Sequence, residues 1–186
     1  MIHLVLFLEE LSAKVMLNGL LPRILPSEVS HTCIVFEGKQ DLEKQIERKL
    51  RVWQRPDSAF IILRDQDSAN CLTLKRNLSE KAHQAGKPQT IVRIACKELE
   101  SWYFGDLSAV ELALDINHLS RHSRNSKYRI PDDIINASTE LEKITRGAYQ
   151  KVSGSRAIGK HLTQKANTSR SFQVFLQGIE KALATV

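Results

Sequence analysis

The chain alternates between short apolar runs and segments whose apolar residues recur at helical spacing. The apolar runs cover residues 2–8, 31–36, 59–63 and 90–95. Each has the length of a strand, and the segments between them place their apolar residues on one face of a helix. Strands that are apolar throughout and separated by helices are typical of a parallel sheet buried on both faces. The pattern predicts a doubly wound, Rossmann-like α/β fold with about four parallel strands flanked by helices.

Proline, glycine and serine mark the expected ends of the early helices. Pro22 is expected to distort or shorten the first helix, and Pro26 to end it. Ser68 is in a position to cap the third helix, which Gly86 and Pro88 should terminate.

No strand pattern follows Gly105. The remaining helices are expected at about 108–114, about 134–145 and about 172–183. The basic, turn-rich segment 119–133 is predicted to be a boundary or a mobile loop.

These patterns divide the chain into two predicted parts. Residues 1–105 form the α/β core, and residues 106–186 form a helical, basic extension packed on it. A chain of 186 residues with 42% hydrophobic content is long enough for one good core and a small lobe.

The apolar runs are too short to cross a membrane. None approaches the roughly 18 to 20 residues that a spanning helix needs, and Glu9 and Glu10 end the first one. We therefore expect a cytoplasmic protein. Cys33, Cys71 and Cys96 are odd in number, far apart and within apolar segments, which predicts reduced core cysteines.

Positive charge is concentrated in the second part of the chain. Residues 1–118 contain 15 Lys and Arg against 16 Asp and Glu, whereas residues 119–186 contain 12 against 5. Their net charges are −1 and +7. This asymmetry favours an anionic partner such as nucleic acid, because Lys and Arg displace counterions from phosphates. A basic face that serves only solubility remains an alternative.

Acidic residues follow three of the four predicted strands, as the pairs Glu9/Glu10, Asp65/Asp67 and Glu98/Glu100. In an open parallel sheet, ligands bind beyond the carboxyl ends of the strands. Carboxylates gathered there repel each other unless a cation intervenes, and their hard oxygen ligands suit Mg²⁺ or Mn²⁺. Two alternatives stay open, since Asp-x-Asp also occurs in solvated turns and Glu98 and Glu100 fit the exposed start of a helix.

The motifs LFLEE and ILRDQDS resemble the Toprim arrangement of topoisomerases, bacterial primases and OLD-type nucleases. In that arrangement a Glu ends the first strand and Asp-x-Asp ends the third. The resemblance covers about residues 1–105. Nearly the whole chain resembles the bacterial DUF4276 proteins, through LEELSAKVMLNGLLPRIL, EGKQDLEKQIERKLRVW, RIACKELESWYFGD and SRSFQVFLQGIEKAL.

The resemblance implies a metal-dependent nuclease acting on DNA or RNA. It makes Asp65 and Asp67 ligands of Mg²⁺ or Mn²⁺, and Glu9 either a third ligand or the group that moves a proton. Glu98 and Glu100 are candidate ligands of a second ion. Family members are often encoded beside ABC- or SMC-like ATPases in phage-defence clusters, which implies an ATPase partner.

The glutamate of the Toprim motif has two competitors. Toprim motifs usually have Gly after the Glu, whereas here Glu10 follows Glu9, so Glu10 is able to share its role. Glu37 lies in FEGKQD, which looks more like the motif itself. Only 28 residues separate Glu37 from Asp65, too few for the expected helix, strand and helix. The 56 residues that separate Glu9 from Asp65 fit them, which favours Glu9.

Basic and aromatic residues provide candidate substrate contacts. The candidate phosphate-binding residues are Arg64, Lys97, Lys127, Lys151 and Arg156. Trp102 and Tyr103 are able to stack a base, although an aromatic pair after a strand is more typical of a core. His122 and His161 lie in basic stretches and are candidates for phosphate binding or for plain exposed surface.

Two other functions fit parts of the pattern. A non-catalytic accessory subunit would keep the Toprim fold while binding nucleic acid or an ATPase. A receiver-like phosphoacceptor domain also has acidic residues after its first and third strands. It requires a fifth strand followed by Lys, and no strand pattern follows Ala95.

Overall fold

The computed structural model describes residues 1–186, and strands alternate with helices through the first part of the chain. The elements are β1 His3–Leu8, α1 Leu11–Ile24, β2 Ser30–Val35, α2 Lys39–Arg51, β3 Ser58–Asp65, α3 Cys71–Gln84, β4 Ile91–Ala95 and α4 Glu100–Phe104. The strands form one parallel sheet in the order β2-β1-β3-β4. The predicted α/β fold with four parallel strands is confirmed.

The second part of the chain contains helices and turns. Its α-helices are α5 Leu107–Leu114, α6 Ala137–Ile144, α7 Lys151–Gly159 and α8 Arg170–Leu183. The predicted helices near α5, α6 and α8 are confirmed. The sequence pattern does not predict α7, because its glycines and serines are weak helix formers.

Packing against α1 accounts for α7. The two helices approach so closely that a Cβ added to Gly159 would lie 2.2 Å from the carbonyl oxygen of Met16. Gly19 of α1 lies at the same helix crossing, and a Cβ added to it would lie 2.8 Å from the backbone of Gly159. Only glycine leaves room for this contact, which holds the C-terminal end of α7 against α1.

Apolar residues cover both faces of the sheet. Val5 and Phe7 of β1 pack with α2 and α3 on one face. Leu4 and Leu6 lie on the other face, in a larger cluster that includes α1 and residues of α5, α6, α7 and α8. The helical second part therefore shares a hydrophobic core with the sheet.

Local details differ from the sequence predictions at three places. Helix α1 continues past Pro22, which therefore does not shorten it, and it ends at Ile24, just before Pro26, as predicted. Asn70, not Ser68, caps α3, because its side chain accepts a hydrogen bond from the Thr73 N–H at 3.0 Å. Segment 119–133 folds into short 3-10 helices, since Leu119 and Tyr128 are buried and hold it to the core.

None of the helices combines the length and the apolar character needed to cross a membrane. Cys33, Cys71 and Cys96 are free thiols, as expected, and all three are partly buried.

Candidate active site

The carboxyl ends of β1 and β3 lie side by side and bring Glu9 and Asp65 together. The strands are paired so that Leu8 faces Leu63, and Glu9 continues β1 as Asp65 ends β3. The Asp65 N–H donates a hydrogen bond to the Glu9 carboxylate at 3.2 Å. The sheet therefore places the two acids in direct contact, although 56 residues separate them in the sequence.

Glu9 and Asp65 belong to a larger set, the inner acidic cluster, formed by Glu9, Glu10, Asp65 and Glu100. Burial raises the pKa of Asp65 well above its usual range, and the charges of Glu100, Glu9 and Glu10 raise it further. Burial also raises the pKa of Glu9, despite the opposing charge of Arg64. These carboxyls are close enough to oppose one another's ionisation.

Glu100 is the most deeply buried member of the inner acidic cluster. Its side chain is completely inaccessible to solvent, and burial raises its pKa. One carboxylate oxygen accepts a hydrogen bond from the Tyr149 hydroxyl at 2.7 Å, while Oε2 has no partner. Glu100 is therefore not the exposed helix-start residue that one interpretation of the sequence allowed.

Lys151, the first residue of α7, provides a cation beside the inner acidic cluster. Its Nζ lies 2.8 Å from a carboxylate oxygen of Glu10, whose other oxygen accepts a hydrogen bond from Ser12. Burial alone would lower the pKa of Lys151, but the hydrogen bond that it donates to Glu10 and the charges of Glu100 and Asp65 raise it. The side chain remains 47% exposed, so it is also open to solvent.

Arg64 lies next to Asp65 but is buried, with 5% of its side chain exposed. Its guanidinium group lies 3.0 Å from Glu43 and 4.0 Å from Glu9, and donates to the Asp65 carbonyl oxygen at 2.8 Å. The Arg64 side chain is therefore already held by contacts with protein groups, on the side of the sheet covered by α2.

Asp67 lies at the edge of the inner acidic cluster, because its charge also raises the pKa of Glu9, although its other contacts lie outside the cluster. It has a left-handed backbone (φ 52°), and its N–H donates to the Lys97 carbonyl oxygen at 2.8 Å. Its carboxylate forms an ion pair with Lys39 at 3.0 Å. Glu98 accepts a hydrogen bond from the Ser138 N–H at 2.7 Å, at the start of α6.

These residues line one open groove of about 460 Å³ together with Ile135 and Asn136. We call Asp67, Glu98, Lys39 and Lys97 the outer group. It contains two acids and two bases, so its formal charges balance.

The remaining predicted residues are placed elsewhere. Lys127 forms an ion pair with Glu140 at 2.6 Å, and Arg156 is exposed on α7. Glu37 is exposed, and its N–H donates to Asp41. Trp102 and Tyr103 are completely buried, which confirms their interpretation as core residues.

The donor chemistry of the inner acidic cluster suits a divalent metal. Its hard carboxylate oxygens match the preference of Mg²⁺ and Mn²⁺, and the buried Oε2 of Glu100 has no protein partner. In their present positions, no three or more acidic, histidine or cysteine side chains are arranged to hold one ion. Metal binding here therefore requires carboxylates to rotate.

Two residues of the site are not predicted by any sequence motif. Tyr149 contacts Glu100 across 49 residues, and Ser12 contacts Glu10 from the first turn of α1. Tyr149 lies two residues before α7, a helix that the sequence pattern does not predict. The one signal in the sequence is that Tyr149 lies two residues before Lys151, a candidate phosphate-binding residue.

Residues 8–180 match the family described as "Domain of unknown function (DUF4276)". The chain belongs to the DUF4276 family. No curated protein sequence matches this family member.

Solved structures show the same fold. Similar chains are the C-terminal region of the Xanthomonas campestris pv. campestris OLD protein, phased with mercury (TM-score 0.52, 14% identity) and with platinum (TM-score 0.51, 14% identity). The similarity covers 98% of this chain and 96% and 94% of those chains. The expected relationship to the OLD fold is confirmed. At this identity, the match shows the fold alone.

Proposed function

We propose that this protein is a metal-dependent phosphodiesterase that cleaves nucleic acid at the inner acidic cluster. The observation that carries the proposal is the grouping of four acidic residues beyond three strand ends, where the Glu9 carboxylate accepts the Asp65 N–H and the pKa of three of the carboxyls is raised. Such an arrangement costs stability without a cation, and perturbed carboxyls in a polar site are typical of functional positions. An OLD-like fold supports the same conclusion.

In this proposal, different residues of the chain have different roles. Asp65, Glu9 and Glu100 would hold Mg²⁺ or Mn²⁺. When bound, the ion supplies an activated water and neutralises charge on the phosphate. Lys151, half exposed beside Glu10, is placed to exchange that carboxylate for a phosphate oxygen. Asp67 joins the site only if its ion pair with Lys39 opens.

The protein's wider context is part of the proposal. The matched structures are a C-terminal region of a longer protein, which supports a nuclease that works with other domains or subunits. Together with the family resemblance, this favours a cytoplasmic phage-defence system in which an ATPase is the partner.

A non-catalytic accessory subunit is the second candidate. Two observations favour it: no three-ligand set is preformed, and Lys39 already neutralises Asp67. Such a protein would keep the fold and its basic surface for binding nucleic acid or an ATPase.

Metal binding and cleavage separate the two candidates. Calorimetric titration with Mn²⁺ is expected to show binding that Asp65→Asn abolishes. Supercoiled plasmid and labelled RNA, incubated with and without the partner ATPase, should be cleaved in Mn²⁺ but not in EDTA. Cleavage that persists in EDTA or in Asp65→Asn contradicts the phosphodiesterase proposal. Normal folding with no Mn²⁺ binding supports the accessory subunit.

A further inference from the structure

A second cleft lies in the helical part of the chain, between the residues after α5 and the end of α6. Its volume is about 820 Å³, within the roughly 300 to 1,000 Å³ typical of small-ligand sites. Ile116, Leu119, Tyr128 and Ile144 contribute an apolar and aromatic lining. Leu119 and Tyr128 are almost completely buried, so they form a floor and not a rim.

Basic and amide groups line the same cleft. His118, His122, Lys143 and Arg146 face it, together with Asn117. None of these five side chains forms an ion pair or a hydrogen bond with the rest of the protein. Lys127, by contrast, lies nearby but is paired with Glu140. The cleft therefore presents a group of uncommitted hydrogen-bond donors above an apolar floor.

The backbone around the cleft is held in unusual conformations. Three of the seven non-glycine residues with positive φ line it: Asp115 (53°), His118 (67°) and Arg146 (53°). Asp115 and Arg146 lie at the ends of α5 and α6, where a left-handed residue commonly ends a helix, whereas His118 lies in the loop itself. Here Glu111 helps to fix the loop, because its carboxylate accepts the Ser120 N–H at 2.8 Å.

We propose that this cleft binds a nucleotide unit, with its phosphate on Lys143 and Arg146 and its base against the floor near Tyr128. Arg and Lys provide charge-assisted hydrogen bonds to phosphate oxygens, and the histidines add further donors. Asp115 is the single acid in the lining, so the balance of charge favours an anion. The unit belongs either to a free nucleotide or to single-stranded nucleic acid.

The proposal is independent of the metal site and is tested in EDTA. A fluorescein-labelled single-stranded ten-nucleotide DNA reports binding by fluorescence polarisation, with AMP and inorganic phosphate as competitors. Lys143→Gln combined with Arg146→Gln is expected to weaken binding at least about tenfold, because two charge-assisted contacts are lost. The matched control, Lys75→Gln with Arg76→Gln, removes the same charge from exposed positions on α3. It should change affinity by less than about twofold.

The competitors distinguish the two sources of the ligand. Displacement of the DNA by AMP identifies a free-nucleotide site, whereas resistance to AMP together with sensitivity to Lys143 and Arg146 identifies a nucleic-acid contact. Equal losses in the cleft variant and in the α3 control would show that general charge accounts for binding, and would overturn the proposal. So would binding that the cleft variant retains in full, or the absence of binding by all three probes. Thermal melting of each variant verifies that it is folded.

Discussion

Asp65 and Asp67 are separated by one residue, yet they occupy opposite environments. Asp65 lies in the inner acidic cluster, where burial and the charges of three glutamates raise its pKa. Asp67 faces an open groove in the outer group and is paired with Lys39 at 3.0 Å. The backbone turns at Asp67, where φ is positive, just after the end of β3. The carboxylates of Asp65 and Asp67 therefore lie in different surroundings.

The comparison shows that a short acidic motif does not define a single site. Two identical side chains acquire different chemistry when their surroundings differ in burial and charge. The outer group neutralises itself, because Lys39 and Lys97 accompany Asp67 and Glu98. The inner cluster contains four acids, and Lys151 and the buried Arg64 are the cations in contact with it. The inner acidic cluster therefore needs an additional cation more than the outer group does.

The largest effect is expected from Asp65→Asn. If the inner cluster holds the metal, this change should lower cleavage at least about hundredfold, the upper end of what removing a ligand's supporting partner costs. Asp67→Asn should cost less, because Lys39 already neutralises that carboxylate. Mn²⁺ titration and single-turnover cleavage measure both. Equal losses in the two variants would mean that Asp65 and Asp67 act as one site.

Tyr149 and Tyr103 offer a matched pair for testing the buried side of the inner cluster. Their rings pack at 6.1 Å, but only the Tyr149 hydroxyl is bonded to Glu100, and the Tyr103 hydroxyl has no partner. Tyr149→Phe should lower the free energy of unfolding by about 1.5–3 kcal/mol, as expected for a hydrogen bond to a charged group. Tyr103→Phe should leave it unchanged or raise it, because a buried hydroxyl without a partner is itself unfavourable. Urea unfolding measures both, and equal costs would show that Tyr149 acts through packing.

The fold follows closely from the sequence pattern. The run from Ile2 to Leu8 and its three counterparts predict strands buried on both faces, and the structure places them in one parallel sheet. Burial is nearly complete in β1 and β3, whereas the edge strand β2 is only partly buried. The amphipathic stripe of α8 is equally clear, from Phe172 to Leu183. These elements are predictable because the spacing of their apolar residues along the sequence indicates which residues are buried.

The site is less predictable, because tertiary contacts complete it. Glu9, Asp65 and Asp67 are recognisable at strand ends, but their separation into two groups depends on the backbone turn at Asp67 and on Lys39. Tyr149 and Lys151 reach the site through α7, whose weak local propensity is overcome by the glycine contact with α1. No local sequence pattern predicts the contact between α1 and α7.

Asp65 also predicts how stability depends on pH in the absence of metal. Since its pKa is raised on folding, the unfolded chain releases this proton first, and stability falls as pH rises from the ordinary Asp pKa of about 3.9 towards the folded value. Asp65→Asn removes that penalty. In EDTA its melting temperature should exceed that of the unaltered protein at pH 8, by about 2–4 °C for each kcal/mol relieved.

The same comparison at pH 4 provides the control, since the difference should shrink as the unfolded state also becomes protonated near its pKa of about 3.9. Adding Mn²⁺ should reverse the order, because only the unaltered protein gains stability from the ion. A variant that melts lower than the unaltered protein at pH 8 in EDTA would show that the Asp65 carboxylate is a structural partner.

The smallest effect on stability is expected in the outer group, from Lys39→Gln. The exposed Lys39–Asp67 pair is worth about 0.2–1 kcal/mol. Lys39 also begins α2, where a positive charge opposes the helix dipole by about 0.3–1 kcal/mol. These contributions nearly cancel, so the melting temperature should hardly move, as in the control Lys44→Gln. Freed of its cation, Asp67 should bind Mn²⁺ about 1.4- to fivefold more tightly, the factor that about 0.2–1 kcal/mol represents. Unchanged affinity in titrations of both variants would place Asp67 outside the metal site and leave the inner cluster to bind the ion alone.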